Sequence, residues 1–115
     1  MGPTDADPQP EALVVLVTAP DREVGLRLAR EVVSARLAAC VNVLDGITSV
    51  YRWEGRVAED AEVLLVCKTA PARLAELQQM IAERHPYDVP EFVAVRPAAV
   101  EERYLAWLSA EIREA

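Results

Sequence analysis

Residues 36–69, RLAACVNVLDGITSVYRWEGRVAEDAEVLLVCKT, predict two long strands that fold back on each other at Glu54-Gly55. The first strand begins near Cys40 and is interrupted by Asp45-Gly46, a pair typical of a bulge or bend within a strand. The returning strand is most hydrophobic over residues 61–69. We therefore expect a hairpin that is long for a small domain, and the other segments to cover it and pair with it.

Strand and helix patterns alternate on either side of this hairpin. Asp21 is a good N-cap for the first helix, and the second helix ends before Pro86 because a residue that precedes proline avoids helical geometry. In chain order, the patterns predict a strand over 12–18, a helix over 21–37, a helix over 71–84, a strand over 91–96 and a helix over 100–112.

The resulting order, β-α-β-β-α-β-α, contains the split β-α-β pattern of a ferredoxin-like α+β sandwich, with a C-terminal helix added. That fold has a four-stranded antiparallel sheet in the order 4-1-3-2, with two helices on one face. The first and third strands are apolar on both faces, so either the last helix or neighbouring subunits must cover the other face. A hairpin of this length also leaves open strand edges, which predicts oligomerisation through it.

Composition and charge narrow the class of protein. The 115 residues are 52% hydrophobic, which suits one domain over residues 12–115, and the acidic, proline-rich residues 1–11 are interpreted as a disordered tail. Two cysteines without a CxxC motif predict free thiols in the cytoplasm. A net charge of −7 disfavours nucleic acid as a partner, and no apolar run approaches the roughly 20 residues that span a bilayer.

Glu62 and Lys68 lie on the same face of the returning strand, together with Leu64 and Val66. Their separation of six residues corresponds to about 20 Å along a strand, so the two charges cannot pair within one chain. Two interpretations remain open. Both side chains lie in solvent at the rims of the sheet, or one or both line a crevice at a subunit interface.

The segment HPYDVPE contains the single histidine, His85, followed by Tyr87, Asp88 and Glu91. A histidine at a helix C-terminus is favoured by the helix dipole, which explains it without a ligand. The two prolines stiffen the loop, as a ligand site requires. First-row metals need several donors, so we expect no structural metal site within a single chain.

The aromatic residues of the hairpin and of the last helix have different interpretations. Trp53, beside the hairpin turn, is interpreted as an interface anchor rather than a ligand-stacking ring. Tyr104 and Trp107 fall on the apolar stripe of the last helix and are interpreted as packing residues. Without a glycine-rich phosphate loop or an assignable Ser-His-Asp set, the sequence predicts a protein that is not an enzyme.

Six motifs, in matching order and spacing from Leu13 to about Leu108, closely resemble the CutA (CutA1) family of divalent-cation tolerance proteins. They are LVTAPD, ARLAACVNV, SVYRWEG, EVLLVCKT, HPYDVPE and YLAWL. The resemblance implies a ferredoxin-like subunit and a homotrimer in which the long hairpins extend sheets across subunits. It also implies an architecture similar to that of the PII signalling proteins.

The resemblance also implies a function and a set of site residues. The expected role is in the response to metal ions, with no required cofactor and with weak binding of copper or another divalent cation. His85 and Cys40 are the implied metal ligands. Some members carry a cysteine at Val17 and a second histidine at Arg84, and both donors are missing here. An inter-subunit cleft would gather Trp53, Glu62, Lys68, Tyr87 and Glu91.

Two other functions remain open from the sequence. One is a PII-like trimer that binds a small anionic metabolite or a partner protein, with Lys68 supplying the positive charge. The other is a scaffold whose stable trimer docks another protein through its loops.

Overall fold

The computed structural model describes residues 11–113, so the expected tail falls almost entirely outside the described residues. Its seven elements are β1 (Leu13–Ala19), α1 (Arg22–Ser34), β2 (Cys40–Trp53), β3 (Arg56–Thr69), α2 (Pro71–Arg84), β4 (Val93–Val95) and α3 (Glu102–Glu111). No helix within this part of the chain is long and apolar enough to cross a membrane.

The four strands form one antiparallel sheet in the order β2-β3-β1-β4. This is the predicted order 4-1-3-2 counted from the opposite edge, so the predicted ferredoxin-like topology is confirmed. In the centre of the sheet, Val17 of β1 pairs with Leu65 of β3. On the other side of β1, Leu16 pairs with Val93 of β4.

The core lies between one face of the sheet and the two helices α1 and α2. Alternate residues of β1 and β3 point into it, and Val15 and Cys67 are fully buried there. Leu28 of α1 and Leu77 of α2 meet them from the helix side. A period of two along the strands and a helical period along α1 and α2 thus bring these apolar side chains together in one core.

The opposite face of the sheet is only half-buried within the subunit, so its expected cover by neighbouring subunits stays a prediction. Leu16 and Leu64 lie on this open face. The aromatic stripe of the last helix also stays partly exposed. Tyr104 and Trp107, which we interpret as packing residues, are 39% and 44% exposed in the subunit.

Instead, α3 packs through Leu108 and Ile112 against Ala70, beyond the end of β3. The rings of Tyr104 and Trp107 lie 5.5 Å apart and contact each other. A helix of ten residues buries only a narrow face, and in α3 Leu108 and Ile112 occupy that face.

The helix α1 ends at Ser34, before the predicted Leu37, because the backbone reverses at Arg36 with a φ of 60°. The amide of Leu37 donates to the carbonyl of Val32 at 2.9 Å, and that of Arg36 donates to Val33 at 3.0 Å. These two bonds form a Schellman motif, which usually has glycine at the position of Arg36. The non-glycine residue hid this helix end from the sequence pattern.

The strand β4 is shorter than the predicted 91–96, since its pairing with β1 is confined to Val93–Val95. The predicted irregularity in β2 is confirmed. Leu44 pairs with Leu64 and the next pair is Ile47 with Glu62, so two residues of β2 oppose one of β3.

The predicted hairpin turn is also confirmed. Glu54 and Gly55 have φ values of 50° and 78°, which suit a two-residue turn of the left-handed kind that matches strand twist. Beyond the bulge, Val50 and Val57 are 62% and 68% exposed. We call Ile47–Glu62 the outer half of the hairpin and the remainder of β2 and β3 its inner half.

Candidate functional site

A cleft of about 650 Å³ lies between the outer half of the hairpin and the loop that follows α2. It gathers four of the five residues expected in a cleft, namely Trp53, Glu62, Tyr87 and Glu91. The other lining residues are Thr18, Ser49, Val50, Tyr51, Asp88, Val89 and Pro90.

His85 fixes the loop that forms one wall of this cleft. Only 7% of its surface is exposed, and its Nε2 lies 2.7 Å from the carbonyl oxygen of Thr18 in β1. Its Nδ1 accepts a hydrogen bond of 3.0 Å from the backbone amide of Tyr87. The two rings of His85 and Tyr87 also lie 4.7 Å apart. The histidine therefore ties the end of α2 to the sheet and sets the direction of Tyr87.

These contacts assign the tautomer of His85. A nitrogen that accepts from an amide carries no proton, so Nε2 carries the proton and donates it to Thr18. Both ring nitrogens are thus used within the subunit. A metal ion at His85 must displace one of the two bonds.

The other residue expected to bind metal, Cys40, lies away from the cleft. Cys40 pairs with Lys68 at one end of β3, whereas Thr18 pairs with Leu64. Four residues of β3 separate these positions, or about 13 Å along the strand. Among residues 11–113, no three His, Cys, Asp or Glu side chains come together as a metal-binding group.

Lys68 lies at that same distant end, and its Nζ donates to Oδ1 of Asn42. The subunit therefore places the opposite charges of Glu62 and Lys68 apart, as their spacing required. Nearby, the fully buried Cys67 has a thiol pKa raised to about 12 by desolvation. At neutral pH this thiol is protonated and unreactive.

Two tyrosine–carboxylate pairs meet at the cleft. The hydroxyl of Tyr87 donates to Oε2 of Glu62 at 2.8 Å, and the hydroxyl of Tyr51 donates to Oδ2 of Asp60. Loss of solvent, followed by the bond to Glu62, raises the pKa of Tyr87. The bond to Asp60 raises the pKa of Tyr51. Both phenols therefore stay protonated and hold their carboxylates in place.

Glu91 completes the charged part of the cleft. Desolvation at the cleft wall, and then the negative charge of Glu62, raise the pKa of Glu91 above its usual value. A carboxyl whose ionisation is opposed by a neighbouring carboxylate lies in a region of negative potential. The cleft is therefore suited to a positively charged ligand.

Sequence reasoning missed Tyr51 and Asp60. Once Glu54-Gly55 is taken as the turn, the register follows, and Tyr51 pairs with Ala58. Asp60 lies two residues further along the same face, in the diagonal position that a long aromatic side chain reaches. The signal was present in SVYRWEGRVAED, but it required the register of the hairpin and not just its existence.

Comparisons with known proteins agree with the fold and the motifs. A divalent-cation tolerance protein CutA of Thermus thermophilus is 47% identical over 95 residues, which cover 83% of this chain and 92% of that relative. The crystal structure of CutA1 from Oryza sativa superposes with a TM-score of 0.87 at 46% identity, covering 91% of this chain and 96% of that one.

The chloroplastic protein CutA of Arabidopsis thaliana is 45% identical over 102 residues. This match covers 89% of the chain but spans only 56% of that plant relative's length. The family model for the CutA1 divalent ion tolerance protein matches residues 13–111, which include every element of the fold. On this evidence the chain belongs to the CutA1 family.

Proposed function

We propose that this protein acts in the response to divalent cations, as a homotrimer that binds a cation weakly at a boundary between subunits. The observation that carries the proposal is the cleft, where Glu62 and Glu91 lie together beside the exposed outer half of the hairpin. Family membership and the names of the relatives support the same role. The proposed role is binding and needs neither catalysis nor a resident cofactor.

The cation needs more donors than one subunit supplies. Since no group of three donors forms within the described residues, water or a second subunit must complete the coordination. His85 and Cys40 remain the ligands that the family resemblance suggests for copper. In the proposed trimer, Cys40 of one subunit would reach the site of another, and His85 would exchange its bond to Thr18 or to Tyr87 for a bond to the metal.

The outer half of the hairpin supports the trimer. Trp53, Val50 and Val57 are each more than half exposed in the subunit, and such apolar surface usually marks a contact between chains. Light scattering should give three times the subunit mass of 12.7 kDa. A mass of one subunit at micromolar concentration would contradict this part of the proposal.

The alternative of a PII-like trimer that binds an anionic metabolite is less well supported at this site. The lining residues include Glu62, Asp88 and Glu91 but no lysine or arginine. An anion would meet three carboxylates there, and Lys68 lies at the far end of β3. A thermal-shift screen with nucleotides and organic acids tests this alternative directly, because a ligand of the native state raises the Tm.

Calorimetric titration with Cu(II), Zn(II) and Mn(II) tests the cation site. We expect Glu62→Gln to weaken binding of the preferred ion by roughly tenfold, since it removes one charged oxygen ligand. His85→Gln and Cys40→Ser show whether copper uses those residues. Glu59→Gln, which removes an exposed acid of the outer half that does not line the cleft, is the matched control. Equal isotherms for the wild type and all four variants would contradict the proposed site.

The expected location in the cytoplasm also remains a proposal. It rests on the two free cysteines, whereas the Arabidopsis relative is named as chloroplastic. Fluorescence microscopy of a tagged chain in its own cells would decide the location.

A further inference from the structure

The walls of the cleft are more aromatic than a metal site requires. Tyr51, Trp53 and Tyr87 line it, and all three rings are exposed, Trp53 by 55%. Val50, Val89 and Pro90 add apolar surface to the cleft. A cleft with three rings, aliphatic walls and a few polar groups has the composition of a site for a small organic molecule.

The charge of the cleft selects the kind of organic molecule. Its charged lining residues, Glu62, Asp88 and Glu91, are all acidic. Tyr87 holds Glu62 at the wall through a hydrogen bond of 2.8 Å, so this carboxylate has a fixed direction. Aromatic faces attract cations through their quadrupole, and a nearby carboxylate adds to that attraction.

The same geometry is poor for a small metal ion in one subunit. A hard or first-row cation needs several donor atoms at about 2.0–2.6 Å, and no three acidic, histidine or cysteine groups come together among residues 11–113. An organic ammonium ion needs no such coordination shell. It needs ring faces within about 6 Å and one or two carboxylates, and groups of both kinds line the cleft.

We propose that the cleft binds a small organic ammonium ion, with its charged nitrogen between the carboxylates of Glu62 and Glu91 and its alkyl groups against Tyr51 and Trp53. The inference rests on the cleft that the proposed function uses, and it names a second class of cation for that cleft. The ligand would compete with a divalent cation for Glu62 and Glu91.

The two tryptophans allow a direct test. Trp53 lines the cleft, whereas Trp107 lies against Tyr104 on α3, outside it. In a Trp107→Phe variant, tryptophan fluorescence reports on the cleft alone. In the matched Trp53→Phe variant, the tryptophan fluorescence comes from Trp107, which contacts Tyr104 and does not line the cleft.

The probe is choline, and its control is 3,3-dimethylbutan-1-ol, which has nearly the same shape without the charge. Both are titrated in the presence of EDTA, which removes metal ions. We expect a saturable change in the emission of Trp53 with choline, at least about tenfold weaker binding of the neutral alcohol, and no saturable change in the emission of Trp107. An equal response to both probes, or no response of Trp53, would overturn the proposal.

Substitutions test the role of the negative charge. Glu62→Gln should weaken choline binding by about tenfold, while Glu59→Gln should leave it unchanged, because Glu59 does not line the cleft. Circular dichroism confirms that each variant is folded. An affinity for choline that Glu62→Gln does not alter would contradict the role assigned to this carboxylate.

The outcome is independent of the outcome for metals. Choline binding without any effect of Cu(II), Zn(II) or Mn(II) would support this inference and contradict the divalent-cation site. Metal binding without choline binding would do the reverse. If a neighbouring subunit of the proposed trimer fills the cleft, choline does not reach Trp53, and the inference is wrong.

Discussion

The two halves of the β2-β3 hairpin have similar strand-forming sequences but different surroundings. In the inner half, Val63, Leu65 and Cys67 are buried on one face at every second position. In the outer half, Val50 and Val57 are both mostly exposed. The change from buried to exposed side chains occurs at the bulge, where two residues of β2 oppose one of β3.

The difference arises from what covers each half. The helix α1 approaches β3 so closely at Gly25 that an added Cβ would lie 2.9 Å from a methyl group of Val63. Among residues 11–113, no helix buries Val50 or Val57 of the outer half in the same way. Local β propensity therefore extends the hairpin, whereas burial determines which part of it stabilises the subunit.

The cleft lies where the two halves of the hairpin meet. At the junction of the two halves, the loop held by His85 leans against the outer half, and Tyr87 reaches Glu62 there. A site at this junction combines a rigid base in the inner half with exposed rings in the outer half. Such a combination suits binding, because the base fixes the polar groups while the rings remain accessible.

The largest expected effect contrasts Leu65→Ala with Val57→Ala. Leu65 is 1% exposed, so its truncation should lower the free energy of unfolding by about 2–5 kcal/mol. Val57→Ala should cost much less, and its cost should depend on protein concentration, since the proposed contact is between chains. Urea denaturation at two protein concentrations measures both effects. Equal, concentration-independent losses would show that the outer half packs within the subunit.

A smaller effect is expected for Gly25→Ala, which tests how closely α1 covers the inner half. The new methyl group would also meet Leu65 at 3.3 Å. Overpacking costs about 1–3 kcal/mol, and alanine recovers up to about 1 kcal/mol through its helix propensity. We expect a net loss of about 1 kcal/mol in urea denaturation.

The matched control for Gly25→Ala is the double variant Gly25→Ala/Val63→Ala. It removes the methyl group that the new Cβ meets, so its cost should be less than the sum of the two single costs. Strict additivity would mean that the helix moves away from the sheet at no cost.

The turn of the outer half provides the third prediction. Gly55 has a φ of 78° and open space around it, so Gly55→Ala adds backbone strain and no steric clash. We expect a loss of up to about 1 kcal/mol in thermal or urea unfolding. Glu54→Gly, at a φ of 50°, should act in the opposite direction by relieving strain. A stabilising Gly55→Ala would contradict the assigned turn.

The hairpin, its bulge and its turn were predictable because their signals are local. Asp45-Gly46 and Glu54-Gly55 place a glycine at two of the three hairpin positions that have a positive φ. The order of the sheet followed from the order of the elements and the rules for connecting them. The cleft residues Glu62 and Tyr87 were expected together only through the resemblance, since 25 positions separate them in the chain.

The parts that failed depend on tertiary contacts. The aromatic stripe of α3 is predicted to pack, but its two rings stay partly exposed because Leu108 and Ile112 make the buried contact with Ala70. The end of α1 at Arg36 was missed because a non-glycine residue takes the left-handed position. The bond of His85 to Thr18 could not be predicted from the sequence, since it depends on where the loop meets β1. The local bond from the amide of Tyr87 depends on the ring orientation that this contact sets.

The smallest expected effect concerns the charge at the junction of the two halves. The pKa of Glu91 is raised above its usual 4.5, so the native state holds this proton more tightly than the unfolded chain does. Its contribution to stability is therefore present at low pH and is lost as the pH rises through the raised value. Glu91→Gln cannot ionise, so the Tm of the variant relative to the wild type should rise slightly between pH 4 and pH 7. Glu59→Gln is the control, and an identical pH profile for both variants would contradict the raised pKa of Glu91, which comes from desolvation and then from the charge of Glu62.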